Sequence, residues 1–328
     1  MKWGAGGSSV APSNDRKGAK AMACRIIIGY GETRQSEDAL ALGQLMAGVL
    51  AARPVVATVL PWPRDLMSPA DLERALEVET RERLATVRDR LASLGAETRA
   101  LADRSPARAL YELAEEAHAS LIVLGSTHRG PIGRVLPGTV GDSLLREAPC
   151  AVAVAPRGFA ERSERDLLRV AVAFDGSSEA RAALETGMRL AGRLHGSLAV
   201  LTVAEPPHYG YAAAYSTLTA GELHDFERER RQRTLDSAVS SLPEALPAEG
   251  RLMVGNPGPT IAEASGDFDL LGIGSRGYGP VRRTILGGVS AAVIRSAACP
   301  VLVLPRAAGL DPLGLAETTP RAAAGRAE

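Results

Sequence analysis

The sequence has little lysine, and this shortage excludes one common kind of nucleotide site. Its lysines, Lys2, Lys17 and Lys20, all lie near the start, and the rest of the chain carries its positive charge on arginine. A P-loop needs a lysine on the phosphates, so neither half of the chain contains one. Net charge is absent too, because 38 basic residues balance 38 acidic ones. We therefore expect no nucleic-acid partner.

Cysteines and long apolar runs are also scarce. Two of the three cysteines, Cys150 and Cys299, stand at equivalent places before apolar strands and are expected to fill core space. No apolar run approaches the roughly 20 residues needed to cross a bilayer, and the opening residues lack the apolar block of a signal peptide. These absences predict a cytoplasmic protein with no membrane partner.

Signals of catalysis are missing as well. The five histidines have no metal-ligand spacing with cysteine or carboxylate side chains, and no G-x-S-x-G nucleophile elbow occurs. We therefore predict no catalytic residue and no metal site held by protein side chains. A binding or regulatory protein is favoured over an enzyme.

The chain does contain one glycine-rich passage twice. IVLGSTHRGPIGRVLPGTVGDSLLREAPCAVAVAPR returns as LGIGSRGYGPVRRTILGGVSAAVIRSAACPVLVLPR, at an offset of about 149 residues, with Gly125 matching Gly274 and Gly138 matching Gly287. Upstream, the segments that begin at Cys24 and Arg169 match at an offset of about 144. The repeat predicts two tandem domains between small, polar and aperiodic ends. The expected divisions are a disordered leader at 1–23, a first domain at 24–157, a second domain at 168–306 and a disordered tail at 307–328.

Apolar runs of strand length alternate with helical patterns in each copy. The second copy has LLRVAVAF, SLAVLTV, GRLMVG, FDLLGIG and PVLVLP, and in the first copy Ser68-Pro69 and Ser105-Pro106 predict helix starts. Strands that are apolar throughout are typical of parallel strands buried on both faces. The predicted fold class is therefore α/β, with two tandem doubly wound domains that each have a parallel sheet of about five strands.

The repeated passage leaves the fourth strand of each domain and leads to the last helix. In doubly wound sheets, ligands bind outside the carboxyl ends of strands, where the strand order reverses. Glycines allow close approach of the backbone, and amide groups at a helix start favour anions. The passage therefore predicts a phosphate-binding loop.

A second interpretation of this loop is a dinucleotide site, because Gly272, Gly274 and Gly277 spell G-x-G-x-x-G. That motif should follow the first strand, open a helix directly and precede an acidic residue by about 20 positions. None of these conditions holds, so a nicotinamide cofactor is disfavoured.

The second loop fits another pattern. Gly274-Ser-Arg-Gly277, nine residues and then Gly287 form G-2x-G-9x-G, and AFDGS, LTVAEPP and CPVLVLPR stand at the matching places around it. With these motifs the chain resembles the universal stress protein family over about residues 24 to 306. The resemblance implies domains with the fold of adenine nucleotide alpha hydrolases, and ATP, with or without Mg²⁺, as ligand.

The resemblance also implies which residues bind the nucleotide. In the second domain, the strand-end residues Asp175 and Val203 would contact adenine and ribose, and the loop after the fourth strand would hold the sugar and phosphates. The full implied set is Ala173, Asp175, Val203, Ile273, Gly274, Arg276, Gly277, Gly287, Gly288, Val289 and Ser290. From the residues alone, Asp175 is also read as a turn former in Asp-Gly-Ser.

The two copies depart from the family pattern in different ways. The second has Gly288 where the family has serine or threonine, which removes one hydrogen bond to phosphate, about 1.5–3 kcal/mol. The first has Gly31 in place of the aspartate and His128 in place of the second glycine. We expect a degenerate site there, with Gly125, Gly138 and Thr139 as its weaker binding residues.

Three classes of function follow. The favoured one is an ATP-binding stress-response or signalling module; the others are an interaction scaffold with decayed sites and a slow ATPase. The short apolar strands AVAVAP and PVLVLP, each at the end of its unit, are candidate edge strands. Family members pair such strands across a domain dimer, so we expect the two domains to pair within the chain, and a homodimer of chains is a further expectation.

Overall fold

The computed structural model describes residues 24–31, 33–60, 68–82, 84–127, 131–162, 167–206, 220–277, 284–285, 287–305 and 312–315. Helices and strands alternate along both halves of the chain. The first domain contains β1 (Arg25–Gly29), α1 (Arg34–Leu50), β2 (Arg53–Leu60), α2 (Pro69–Glu82), α3 (Ala85–Arg90), β3 (Glu97–Ala102), α4 (Pro106–Glu116), β4 (Leu121–Gly125), α5 (Thr139–Glu147) and β5 (Ala151–Ala155). The second contains β6 (Arg169–Ala173), α6 (Ser178–Arg193), β7 (Ser197–Ala204), α7 (Ala220–Ser240), β8 (Ala248–Val254), α8 (Pro257–Ala264), β9 (Leu270–Gly274), β10 (Arg276–Gly277), β11 (Thr284–Ile285), α9 (Gly288–Ile294) and β12 (Val301–Leu304).

Ten of the strands form one sheet in the order β3-β2-β1-β4-β5-β12-β9-β6-β7-β8. Within each domain all neighbouring strands are parallel, and the strand order reverses between the first and fourth strands of the domain. The predicted fold class is therefore confirmed. The strands β10 and β11 form a separate antiparallel ribbon, which the sequence did not predict.

The two domains pair through their last strands. β5 and β12 run antiparallel, with Val152 opposite Val303 and Val154 opposite Val301. All four side chains are buried. The predicted pairing of the two copies within one chain is thus confirmed.

Local sequence explains where the helices begin. Ser105 caps α4 by accepting a hydrogen bond from Arg108 N, and Pro106 follows it, as predicted. Ser68 accepts from the amide of Asp71 at the start of α2. α1 and α6 begin after Thr33 and Ser177, whose hydroxyls cap the first turn in the same way. These caps satisfy amide groups that helix ends leave without partners.

Apolar side chains fill both faces of the sheet. One cluster lies on the face covered by α1 and α6, and the other on the face covered by α4, α5, α8 and α9, and each runs through both domains. Cys150 and Cys299 are buried in the second cluster, as expected. Burial raises the pKa of each thiol to about 12. No helix in the described ranges combines the length and apolar character needed to span a membrane.

The prediction of a disordered tail at 307–328 is wrong for residues 312–315. Leu313 and Leu315 belong to the cluster beneath α1 and α6 and are 0% and 6% exposed. Burying two leucine side chains favours an ordered segment. The leader at 1–23 lies outside the described residues, as does the rest of the tail.

Candidate functional site

A cavity of about 290 Å³ opens at the carboxyl ends of β6 and β9, where the strand order of the second domain reverses. Its walls come from the ends of three strands and the first turns of α6, α8 and α9. The lining residues are Ala173, Phe174, Asp175, Ser177, Glu179, Ala180, Val203, Glu205, Arg231, Pro257, Ile261, Ile273, Gly274, Gly287, Gly288, Val289, Ser290 and Val293. This place in the fold is where doubly wound domains bind ligands.

The structure brings most of the sequence-predicted site residues together around this cavity. The nine that line it are Ala173, Asp175, Val203, Ile273, Gly274, Gly287, Gly288, Val289 and Ser290. The other two, Arg276 and Gly277, form β10 directly beyond Gly274 and Ser275, and nothing beyond their backbone is described. Residues as far apart in the sequence as Ala173 and Ser290 therefore share one wall.

Asp175 ends β6 in a tight turn. Its Oδ1 accepts a hydrogen bond of 2.9 Å from Ser177 N, and Gly176 between them has φ 84°. The interpretation of Asp175 as a turn former therefore describes a contact that exists. The same residue lines the cavity, so turn formation and ligand contact are compatible.

Arg231 reaches the cavity from α7. Its Nη1 donates to Asp175 O at 3.2 Å, and its Nε donates to Glu227 Oε1 at 2.9 Å. Hydrogen bonds, first from Arg230 and also from Arg231, lower the pKa of Glu227, which therefore holds its negative charge beside the guanidinium. Arg231 is thus fixed as a cation at the Asp175 side of the cavity.

Two glycines of the loop have different environments. A Cβ on Gly274 would lie 2.6 Å from Glu179 O in the first turn of α6, so glycine is needed there for the close approach of helix and strand. A Cβ on Gly288 would have no heavy atom within 4 Å. Sequence reasoning assigned both glycines to the ligand, whereas packing alone explains Gly274.

The start of α9 faces the cavity with uncapped amide groups. Gly287 is the N-cap residue and, within the described ranges, no side chain caps this end. Ser290 Oγ donates to Gly274 O at 3.3 Å, which ties the helix start to the end of β9. Unpaired amides at a helix start favour an anion.

Several lining residues were not predicted from the sequence. Pro257 and Ile261 come from α8, and an N-cap signal at Asn256-Pro257 could have placed that helix start near the cavity. Glu179 and Glu205 follow the ends of β6 and β7, a position that could have identified them. Arg231 lies in the middle of α7. Its place beside Asp175 depends on how this helix packs, and no sequence motif marks it.

An equivalent cavity of about 340 Å³ lies in the first domain. Its lining includes all three residues assigned to the weaker site, Gly125, Gly138 and Thr139, together with Gly31. None of the described lining residues is charged, in contrast to the second cavity with its carboxylates and Arg231. His128 lies outside the described residues.

The first domain replaces the aspartate of its strand-end turn with a serine hydroxyl. Ser36 Oγ accepts from Gly31 N at 2.8 Å and donates to Gly31 O at 2.7 Å. The turn is therefore held from α1, and none of the described residues brings a carboxylate into the cavity. Gly125 has the same packing role as Gly274, since a Cβ there would collide with the carbonyl oxygen of Gln35 in α1.

Metal-ligating side chains do not converge on either cavity. Within the described residues, no group of three or more histidine, cysteine, aspartate or glutamate side chains is arranged to hold a metal ion. The two linings combine an apolar wall with backbone amides and hydroxyls, and the second also carries charged groups, a composition typical of ligand pockets.

Comparison with known proteins agrees with this architecture of two α/β domains, each with a cavity at its switch point. The model of the universal stress protein family matches residues 22–156 and 167–305. The chain belongs to the universal stress protein family.

Individual relatives match along both domains. Universal stress proteins of Mycobacterium tuberculosis and Mycobacterium bovis are each 29% identical over 296 residues, which covers 85% of this chain and 99% of theirs. A crystal structure of a universal stress protein from Archaeoglobus fulgidus is similar with a TM-score of 0.63 at 21% identity, over 86% of this chain and 98% of that one. A putative universal stress protein from Pseudomonas aeruginosa gives 0.61 at 15% identity, over 89% and 96%. These structures share the tandem fold.

Proposed function

We propose that this chain binds ATP in the cavity of its second domain and acts as a nucleotide-responsive stress or signalling module in the cytoplasm. The observation that carries the proposal is the convergence of nine family-implied residues on one cavity at the strand switch point. Val203 and Ile273, both buried, offer an apolar wall for the base. The uncapped start of α9 offers amide groups for phosphates.

The second domain is proposed as the main site because of its charged groups. Asp175 offers a carboxylate to ribose hydroxyls or to the exocyclic amine of adenine, and hydrogen bonds to a charged group are stronger than neutral ones. The first cavity has Gly31 at this position, with its turn held by Ser36. Any Mg²⁺ would arrive with the phosphates, since the described side chains form no cation site of their own.

Titration calorimetry with ATP tests the proposal. The parent chain should bind, and Asp175→Asn should weaken binding about tenfold, the loss of one charge-assisted hydrogen bond. Asparagine keeps a side-chain oxygen for Ser177 N, so this variant preserves the turn and removes the charge. Thr139→Ala in the first domain is the matched control and should leave the main binding event unchanged.

Each alternative has its own result. A parent chain that binds no ATP contradicts the nucleotide proposal and favours a scaffold with decayed sites. Equal affinity of parent and Asp175→Asn contradicts the assignment to the second domain. Phosphate release above background, lost in Asp175→Asn, would favour a slow ATPase. A homodimer of chains is proposed as well, and light scattering that gives the monomer mass contradicts it.

A further inference from the structure

Residues 312–315 form a buried segment that no motif predicted. Pro312 and Leu313 are buried, Gly314 is exposed with φ 66°, and Leu315 is buried. The left-handed glycine lets the chain turn so that both leucines point inward. Leu313 is 0% exposed, which places it among the most deeply buried side chains of the molecule.

The contacts of this segment reach both domains. Cys24 Sγ, just before β1 of the first domain, donates to Leu313 O at 3.6 Å. Arg193, the last residue of α6 in the second domain, donates from Nη2 to Leu315 O at 3.1 Å. The same guanidinium donates from Nη1 to Val49 O at 3.3 Å, near the end of α1. One arginine therefore joins the segment to both domains.

The apolar cluster that contains this segment includes residues of both domains. Leu313 and Leu315 belong to one cluster with Leu50 of the first domain and Leu190 of the second. Without the segment, part of this cluster would face water at the point where the domains meet. Apolar burial favours the closed arrangement by an amount proportional to the area covered.

The segment lies at the amino ends of the strands, the edge of the sheet opposite the cavities. Both cavities open at the carboxyl ends of the strands, whereas Cys24 precedes the first strand and Arg193 ends a helix that starts beside the second cavity. The segment is therefore separate from the nucleotide site, and its role does not depend on ATP.

We propose that residues 312–315 are a clasp that holds the two domains together at this edge, with Arg193 as its positioning residue. Among the described residues, the domains are also joined by the antiparallel β5–β12 pair, by loop contacts around it and by the hydrogen bond from Arg193 to Val49 O. The clasp adds a second point of attachment across the sheet from those loops. Its loss should loosen the β5–β12 pair as well as remove local packing.

Two shortened chains test the clasp. A chain ending at residue 315 should have the melting temperature of the full chain. One ending at 305 should melt about 4 °C lower, because it loses the burial of two leucines, and the conformational entropy of ordering the segment offsets only part of that loss. Hydrogen exchange should be roughly fivefold faster at the paired amides of β5 and β12 in the shorter chain. Melting temperatures equal to within 1 °C overturn the proposal, and so does a lower melting temperature with unchanged exchange in β5 and β12.

Point variants keep the test independent of truncation. Leu313→Ser in the full chain should lower the melting temperature, whereas Leu168→Ser, a matched change at a half-exposed leucine, should not. Arg193→Ala should cost less in the chain ending at 305 than in the one ending at 315, because one of its partners is already absent. Equal costs in the two chains would show that Arg193 acts without the clasp.

Discussion

A single methyl group added at Gly274 should test whether this glycine serves the fold or only the ligand. In Gly274→Ala, the new Cβ would lie 2.6 Å from the carbonyl oxygen and 2.8 Å from the carbonyl carbon of Glu179. Both atoms belong to the backbone of α6, so relief requires a shift of the whole helix start. The matched variant is Gly288→Ala, whose Cβ meets nothing within 4 Å.

Gly274→Ala and Gly288→Ala should change the stability of the fold in opposite directions. Overpacking against a backbone typically costs about 1–3 kcal/mol, and for a chain of this size each kcal/mol lowers the melting temperature by about 2 °C. Gly274→Ala should therefore melt roughly 2–6 °C below the parent. Gly288→Ala replaces a helical glycine and should gain up to about 0.5 kcal/mol. Gly125→Ala, whose Cβ would lie even closer to the backbone oxygen of Gln35, should cost at least as much as Gly274→Ala.

Thermal unfolding followed by circular dichroism, with urea titration as a second measurement, gives the required differences. If Gly274 serves only the ligand, Gly274→Ala will have the same melting temperature as the parent chain in the absence of nucleotide. A melting temperature of Gly274→Ala within 1 °C of Gly288→Ala would thus refute the packing argument. A loss seen without nucleotide supports it, since no ligand contact is then involved.

Four further predictions concern other positions. Gly288→Ser restores a hydroxyl in open space and should raise ATP affinity about tenfold by calorimetry, while an unchanged affinity would mean that no phosphate reaches this helix start. At pH 8, Ellman's reagent should react with Cys24 far faster than with Cys150 and Cys299, because a pKa of about 12 leaves almost no thiolate. These raised values also stabilise the fold below pH 9.0, and that contribution should fall as pH rises toward 12, less so in the Cys150→Ala, Cys299→Ala double variant. Asp38→Ala leaves the amides of the turn after β5 without their carboxylate acceptor and should cost about 2 kcal/mol in urea unfolding, whereas a neutral result would mean that water replaces the carboxylate.

The sequence predicted the fold well because the information is local and repeated. Apolar runs of strand length predict buried parallel strands, and capping residues predict helix starts, without knowledge of the neighbouring elements. The duplication shows the same plan of elements twice. It failed where structure depends on contacts distant in sequence. Leu313 and Leu315 lie in a small, polar, aperiodic segment, and their burial depends on a cluster that includes residues of both domains. The break between α2 and α3, where the second domain has the continuous α7, was not predicted either.

The site shows the same division between local pattern and distant contact. Asp175 and Gly274 could be placed because parallel strands bring their carboxyl ends to one edge, whereas Val203 and Ile273 came from the family resemblance. Arg231 could not, since its approach to Asp175 depends on how a helix of 21 residues lies across the sheet. Arg276 was assigned by motif, and its backbone forms a strand directly beyond the cavity wall at Gly274.

The difference between the two domains rests on how each closes the same turn. In the second domain a carboxylate at the turn accepts from the amide of Ser177 and also lines the cavity. In the first, Ser36 satisfies both the amide and the carbonyl of Gly31 from α1, so the turn is complete without any charge. The described residues of this turn therefore bring no charge to the cavity, and its backbone is satisfied all the same. A domain that keeps its turn, its packing glycine and its antiparallel partner can lose ligand affinity and still hold the second domain in place, which explains how the two copies can diverge within one sheet.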